Sequence, residues 1–472
     1  MSVSSSAPPK KRTRVLFLAW GFSIHAKRRI QIFVDDPSFE VIIASTCNYR
    51  FRDALNISLS GAHEEEHIPK GACLEEGDRA TGKSSRKSLE YFVQVLSLIR
   101  EIPGGLKLVF RGWHILAPIL SSDDRSRLGG LKGVGEFFLS SDMRHEVVRA
   151  SRDLKILKRT VRESKPDIIF LQTLLYPCYL AFLLPQSFPI MITFWNGDLT
   201  WWAEWSGIER KLKKALVAYG VRRARAITVN STSAFNACVE CGAEREKIRL
   251  IRYPGVDLSR FTPSAKGQAK IKLGIDFEKV VLWPRGLGSY LNSDVIIEAI
   301  PMVIRKHPNT LFLFVSGNGK EQEWQKHLQR VKEFGFERNV RWDGNVPWEL
   351  MARYYNASDV MVSISSNDSL PNCMLEAMAC GIPIVMGDIL SIREWVTDGV
   401  NGFLVPPRDP VAVAEKILRA LDDPGNILMS FVEKNLELAR CFFDSEQNGQ
   451  EIKRLVQDIA GYNGEKPPAR HS

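Results

Sequence analysis

The sequence predicts an α/β protein with two doubly wound parallel-sheet domains. Three observations lead there. Short apolar runs such as Val15 to Trp20, Asp167 to Leu171 and Lys279 to Trp283 alternate with segments of helix length, the pattern of buried parallel strands joined by helical crossovers. The chain has 472 residues, enough for two domains of about 200 residues each. Its most regular stretch, Asp359 to Pro407, reads as a βαβ unit: strand Val360 to Ile364, polar loop Ser365 to Ser369, helix from Pro371, strand Ile382 to Met386.

That unit carries the chemistry. Ser369 is placed to cap the helix, Leu370 and Pro371 take its first positions, and Gly381 can adopt the left-handed conformation that ends it. The segment Ser369, Leu370, Pro371, Asn372 and Cys373 therefore forms a helix mouth whose free N–H groups and positive dipole end favour an anion such as a diphosphate. Asp368 lies at this mouth, while Asn372 and Glu376, four apart, share one helix face. A carboxylate beside a phosphate repels it unless the carboxylate faces a neutral part of the ligand. Sugar or ribose hydroxyls, which donate hydrogen bonds to carboxylates, meet that condition.

Bulk properties narrow the class. Hydrophobic residues make up 44% and charged residues 25%, ordinary for a globular protein. No run reaches the 18 or more apolar residues of a spanning helix, and Ser4 to Arg14 has no apolar core of a secretory signal, so a cytoplasmic location is expected. The eight cysteines are scattered, several in apolar contexts such as Cys178 and Cys380, and read as reduced core residues. Cys238 and Cys241 form a CxxC with no second pair, which reads as helical coincidence rather than a zinc or redox site. Net charge is +10, with Arg210, Lys211, Lys213, Lys214, Arg222, Arg223 and Arg225 crowded in one helical stretch. Such a face can bind an anionic membrane surface, at the inner face of a membrane, or simply stay solvated. No nucleic-acid module accompanies it. No metal site is expected: the chain contains neither an Asp-x-Asp nor a His/Cys cluster with metal-ligand spacing.

In chain order, residues 1–13 read as a disordered basic tail, 14–255 as a first Rossmann-like domain, 256–430 as a second, 431–462 as a helical segment crossing back, and 463–472 as a disordered tail. The first strand turns through Gly21-Phe22-Ser23-Ile24-His25 into a helix bearing Lys27, Arg28 and Arg29. Topology puts Gly21, His25 and Lys27 at the carboxyl edge of the sheet, where ligands bind. Residues 48–142 are the least informative. A helix packed on the sheet explains the apolar, Trp-bearing segment at 106–113 better than a membrane interface does.

The stretch around Asp368 resembles the donor-site signature of retaining glycosyltransferases of the family-4 type: an acidic residue, seven others, then Glu376-Ala377-Met378-Ala379-Cys380-Gly381-Ile382-Pro383-Ile384-Val385, followed by Glu394 and Asp398-Gly399-Val400-Asn401-Gly402-Phe403-Leu404-Val405. Asp368 stands where the family usually has Glu. The resemblance implies the GT-B fold, in which two Rossmann-like domains face each other across a cleft and the last helix returns to the first domain. It also implies transfer of a sugar from a nucleotide diphosphate to a hydroxyl of a glycan or lipid-linked glycan, with retention of configuration and without metal.

The donor is expected to be a UDP-sugar first, a GDP- or ADP-sugar otherwise. By the resemblance Glu376 holds ribose hydroxyls, Asp368 and Asn372 the sugar and its phosphate, and Arg285 the diphosphate. Cys373 and Leu375 join the donor-contacting helix mouth, Gly317 and Gly319 allow close approach of the nucleotide, and Asn345 and Val346 line the nucleobase pocket. Gly197 and Asp198 match part of a turn facing the sugar, and Pro254-Gly255-Val256-Asp257 resembles the hinge between domains. Members commonly carry a Lys where Tyr290 and Leu291 stand; the charge is then missing or is supplied by Lys27 across the cleft. The rival readings are a phosphorylase or epimerase on the same fold, and a catalytically weak nucleotide-sugar-binding or regulatory protein.

Overall fold

The computed structural model describes residues 12–19, 24–46, 51–59, 141–174, 177–194, 199, 207–288, 290–315, 321–423 and 426–461. Two wholly parallel sheets organise them. The first contains β1 (Thr13–Ala19), β2 (Phe39–Ser45), β3 (Ala54–Ser58), β4 (Ile168–Leu171), β5 (Ile190–Thr193), β6 (Ala226–Val229) and β7 (Ile248–Leu250), in the order β3-β2-β1-β4-β5-β6-β7. The second contains β8 (Lys279–Trp283), β9 (Thr310–Val315), β10 (Val340–Gly344), β11 (Val360–Ser363), β12 (Ile384–Gly387) and β13 (Phe403–Val405), in the order β10-β9-β8-β11-β12-β13. Strand order reverses between β1 and β4 in one sheet and between β8 and β11 in the other. Those reversals open the crevices where ligands of doubly wound sheets bind, at the carboxyl ends of the strands.

The central strands are mostly apolar and buried because helices cover both faces of each sheet. Phe17, Phe33 and Phe170 pack together on one face of the first sheet, while Val217 and Val221 of the helix Gly207–Arg223 help fill the other. In that helix Lys214 and Arg222 are exposed, whereas Arg223 donates to the carbonyls of Phe188 at 2.9 Å and Pro185 at 3.4 Å. One cation of the basic stretch is therefore tied to the fold. No helix among the described residues is long and apolar enough to cross a membrane.

The chain passes between the domains twice. At the first passage Gly255 has φ +76°, and a Cβ there would collide with the carbonyl oxygen of Phe443, so the position requires glycine. Val256 donates to that carbonyl at 2.7 Å and accepts from Ser445 at 2.9 Å, which binds the two passages side by side. The helix Asn426–Leu438 and the turn through Phe443 stay with the second domain, contributing Phe431, Ala439 and Phe443 to its cores. The helix Ser445–Ala460 alone crosses over, burying Ile452, Val456 and Ile459 against the first sheet's aromatic core and pairing Lys453 with Asp36 at 2.9 Å.

Two strands were not expected. β3 is a short edge strand whose five residues are all exposed or half-exposed, and β13 has three residues, too few for a period. The expected cap at Ser369 is also corrected. The helix spans Asn372–Ala379 with Pro371 as N-cap and no side-chain cap bond, which leaves Ser369 two residues ahead of the cap position, its hydroxyl donating instead to Asn230. Gly381, at φ +68°, ends it as anticipated.

Candidate active site

The site grows from the loops after β8, β11 and β12, at the strand reversal of the second sheet. Arg285 leaves the end of β8 and Asp368 the loop after β11, so neighbouring strands bring them together: Arg285 Nη2 donates to Asp368 Oδ2 at 2.8 Å. Ser365 Oγ donates to the same oxygen at 3.1 Å, the Ser369 N–H to Oδ1 at 3.0 Å, and Ser391 Oγ fixes the Asp368 carbonyl at 2.7 Å. Burial opposes the Arg285 charge, but Asp368 foremost among its neighbours outweighs it, and the guanidinium is held still more firmly protonated. Among the described residues, its buried Nε has no hydrogen-bond partner. A cavity of about 410 Å³ opens beside Asp368, lined by Ser366, Asn367, Asp388, Leu390 and Arg393 of the second domain and by Ser233 of the first.

Glu376 sits one turn deeper in the same helix, in a different setting. It is 7% exposed; Oε1 accepts from Trp348 Nε1 at 2.9 Å and Oε2 from the Tyr355 hydroxyl at 2.8 Å. Trp348 and Tyr355 are seven apart on the helix Trp348–Asn356, hence on one face. Burial raises the Glu376 pKa, against the opposing pull of Trp348, Arg28 and Tyr355. A carboxylate offers about four acceptor positions, so two remain for a ligand.

The first domain reaches into this site in two places. From the helix Ile24–Val34 that follows β1, Arg28 Nη1 comes to 3.9 Å from Glu376 Oε1, and the guanidinium lies over the Trp348 ring at 4.0 Å. From the turn after β6, Asn230 Oδ1 accepts from Ser369 Oγ at 2.6 Å. Next to it, the N–H groups of Thr232 and Ser233 donate to the two oxygens of Glu394, each at 2.9 Å. A second-domain carboxylate thus occupies the positive end of the first-domain helix Thr232–Glu240.

Asp368, Arg285, Glu376, Ser369, Asn372 and Cys373 are brought together at one helix mouth. Cys373 faces Arg285, Sγ to Nη1 at 3.8 Å, and burial pushes its thiol pKa up. Leu370 and Leu375 turn their side chains into the core, so only their backbones can face a ligand. Asn345 is exposed and Val346 half-buried beside Trp348. Lys27 is exposed; its neighbour Arg28 points inward, and Arg29 is buried, donating to the Tyr253 carbonyl at 3.0 Å. Three consecutive basic residues diverge in this way because a helix turns about 100° per residue. Gly21, Gly197, Asp198, Gly317 and Gly319 lie outside the described residues, as does the side chain of His25. Sequence reasoning missed Arg28, Trp348, Tyr355 and the partners of Glu394. The seven-residue spacing of Trp348 and Tyr355 was a usable signal; the contacts between domains left none.

Comparison with known proteins agrees with this geometry. Residues 278–423 match the model of glycosyl transferases group 1, and residues 114–260 that of glycosyltransferase family 4. The D-inositol 3-phosphate glycosyltransferase of Geodermatophilus obscurus is 33% identical over 233 residues, covering 45% of this chain and 52% of that protein. The same-named protein of Corynebacterium urealyticum is 29% identical over 254 residues, covering 52% and 59%. The chain thus spans little more than half the length of these relatives. Among solved structures, a sucrose-phosphate synthase from Thermosynechococcus elongatus superposes with a TM-score of 0.64 at 16% identity over 95% of this chain and 100% of that one. HepE of Anabaena, solved in complex with UDP-glucose, superposes with a TM-score of 0.61 at 15% identity over the same shares. With both halves matched by models of one class and the fold shared along its length, the chain belongs to the family-4-type glycosyltransferases of the GT-B fold.

Proposed function

We propose that this protein transfers a sugar from a nucleotide diphosphate to an acceptor hydroxyl, with retention of configuration and without a metal ion. The observation that carries the reading is the gathering of Arg285 and Asp368 at one helix mouth with Glu376 a turn deeper, on the strand reversal of the second sheet and beside a cavity of about 410 Å³. In this reading ribose hydroxyls donate to the open acceptor positions of Glu376. The diphosphate takes the mouth itself, where Arg285 has an unused Nε–H. The sugar extends over Asp368 into the cavity, whose size suits a hexose and part of an acceptor.

Binding along the nucleotide positions the anomeric carbon. As its bond to the diphosphate oxygen breaks, charge grows on that oxygen, and in this reading Arg285 and the helix mouth stabilise it. The acceptor oxygen bonds to the anomeric carbon on the face the diphosphate leaves, and its proton passes to the departing phosphate.

The neighbour HepE, solved with UDP and UDP-glucose, favours UDP as the first base to try. The relatives named for D-inositol 3-phosphate add phosphorylated polyols to glycans and lipid-linked glycans as acceptor classes. A thermal-shift screen of UDP, GDP and ADP, followed by a turnover assay with the matching sugar nucleotides, tests the reading. A stabilising diphosphate, turnover that survives EDTA, and an unchanged anomeric configuration by NMR are expected. Turnover that vanishes with EDTA and returns only with magnesium or manganese would overturn the metal-free mechanism. Binding without any turnover or donor hydrolysis would favour a regulatory nucleotide-sugar-binding protein.

A further inference from the structure

We propose that Arg28, carried by the first domain, is a second cation for the donor diphosphate. The inference rests on the nucleotide-sugar reading above and adds to it a residue from the opposite wall of the cleft.

Reach comes first. Arg28 lies in the second turn of the helix that leaves β1 at the strand reversal of the first sheet, and its guanidinium already stands among second-domain side chains. Glu376 and the mouth residue Asn372 are four positions apart on one helix, about 6 Å along its axis. A guanidinium beside Glu376 is therefore within a side-chain rotation of the mouth.

Among the described residues, Arg28 feels the carboxylates of Glu376 and Glu349 but is hydrogen-bonded to neither. The 3.9 Å separation from Glu376 exceeds a hydrogen bond, and both carboxylate oxygens already accept from neutral donors. Arg260 also lies over the Trp348 ring, at 4.6 Å, but is turned toward Asp257 at 3.6 Å. Burial lowers the Arg28 pKa, so the guanidinium sits where water has been withdrawn from its charge.

The charge count points the same way. A nucleoside diphosphate brings about two to three negative charges to a mouth where Arg285 is already shared with Asp368. The positions five and six residues after Arg285, Tyr290 and the buried Leu291, add no cation to the mouth. Of the two other cations on the same helix, Lys27 is exposed and Arg29 is buried against the Tyr253 carbonyl. Arg28 and Arg285 flank the first turns of the Asn372–Ala379 helix from opposite walls, each resting against a carboxylate that the reading assigns to donor hydroxyls. Donor binding would exchange these partners together, carboxylates to hydroxyls and guanidiniums to phosphates, and would draw the domains onto the ligand.

The test compares UDP, UMP and uridine on the wild type, Arg28→Met and Arg28→Lys, by calorimetry for the tight ligands and NMR titration for the weak ones. Arg28→Met keeps the apolar stem over Trp348. A tenfold or greater loss of UDP affinity is expected, with less than a threefold change for uridine, and partial recovery in Arg28→Lys. Equal losses for UDP and uridine, or none, would overturn the proposal by reducing Arg28 to a support for Glu376 and Trp348. Should Arg28→Met fail to fold, the same comparison in Arg28→Lys decides, since losing the planar fork should still cost UDP more than uridine. Glu376→Gln serves as the control for the underlying reading. If it leaves UDP affinity untouched, or if the wild type binds none of UDP, GDP and ADP, the site assignment itself falls.

Discussion

The mouth of the Asn372–Ala379 helix and its second turn lie one turn apart, yet they treat a carboxylate in opposite ways. At the mouth, Asp368 is bound to a cation of its own domain and opens onto a cavity. In the second turn, Glu376 is nearly enclosed, takes two neutral donors from its own domain, and meets its nearest cation only across the cleft. Asp368 is thus a solvent-facing group poised to exchange partners, whereas Glu376 is a built-in acceptor whose charge burial disfavours. One helix supplies both because side chains at its mouth face the crevice, while those a turn further in are overlaid by the neighbouring helix Trp348–Asn356.

The largest effect that could break this comparison is removal of Glu376. Glu376→Ala deletes the ribose acceptor and also strands the Tyr355 hydroxyl, which is fully buried. Losing hydrogen bonds to a charged group should weaken donor binding by about 1.5 to 3 kcal/mol, and the stranded hydroxyl should cost the fold about 1 to 3 kcal/mol more. Glu376→Gln separates the two costs. Its carbonyl can still accept from Trp348, and its amide can donate to Tyr355, whose hydroxyl accepts as well as donates. The Gln variant should therefore keep its melting temperature within a few degrees while losing donor affinity. If both variants melted together with the wild type, the hydrogen bonds drawn here would carry no weight.

Arg285 comes next. Arg285→Ala leaves the mouth without its own-domain cation and Asp368 without its partner, and should lower kcat by about 10²-fold or more, the scale of losing one preorganised charge contact. Arg285→Lys keeps the charge but not the fork and should fall between. Steady-state kinetics with a UDP-sugar would check the order; equal activity in all three proteins would remove Arg285 from the phosphate site.

A smaller effect is expected at Glu394, which joins the domains without touching the mouth. Glu394→Ala should forfeit about 0.5 to 2 kcal/mol of helix-terminus interaction, the range for a lost cap. Because the contact exists only with the domains together, the loss should appear as a several-fold rise in KM for the donor rather than a lower melting temperature. Small-angle scattering of the free variant should show a larger radius of gyration. An unchanged KM together with a markedly lower melting temperature would make Glu394 part of the fold alone.

The same comparison explains how much was legible in the sequence. The second-domain site lies on one contiguous βαβ unit, so spacing alone gathers Asp368, Asn372 and Glu376, and the strand end locates Arg285. The first-domain contribution is set by rotation about a helix whose start falls in a loop. A one-residue difference separates the outward Lys27 from the inward Arg28, finer than topology resolves. Ser369 shows another limit: it reads as a helix cap, but the helix starts three residues later, and its hydroxyl bonds to Asn230 and Ser231, about 140 positions away. Contacts of that separation leave no local pattern. β3 was illegible for a different reason, since its alternation of Leu55 and Ile57 spans too few residues for a period of two to stand out.

The smallest predicted effect is a dependence of stability on pH that belongs to Glu376. Burial raises the folded-state pKa of Glu376 above its ordinary value of 4.5. The folded protein therefore holds that proton more tightly than the unfolded chain does. The stability this contributes is fully present below pH 4.5 and is lost as pH rises through the folded value, where the carboxylate must ionise while enclosed. Glu376→Gln cannot ionise and lacks this dependence. In denaturant unfolding, the stability of the wild type relative to Glu376→Gln should decline as pH is raised from about 4 toward neutrality, and then level off. Charging Glu376 is then a cost that the empty protein carries at neutral pH. Donors that satisfy the ion, the ribose hydroxyls above all, should relieve it, and saturating UDP should flatten the wild-type profile toward that of the variant. A relative stability that instead rose with pH would mean that Trp348, Tyr355 and Arg28 together overcome burial. Glu376 would then be a structural ion of the second domain rather than an acceptor held open for the donor.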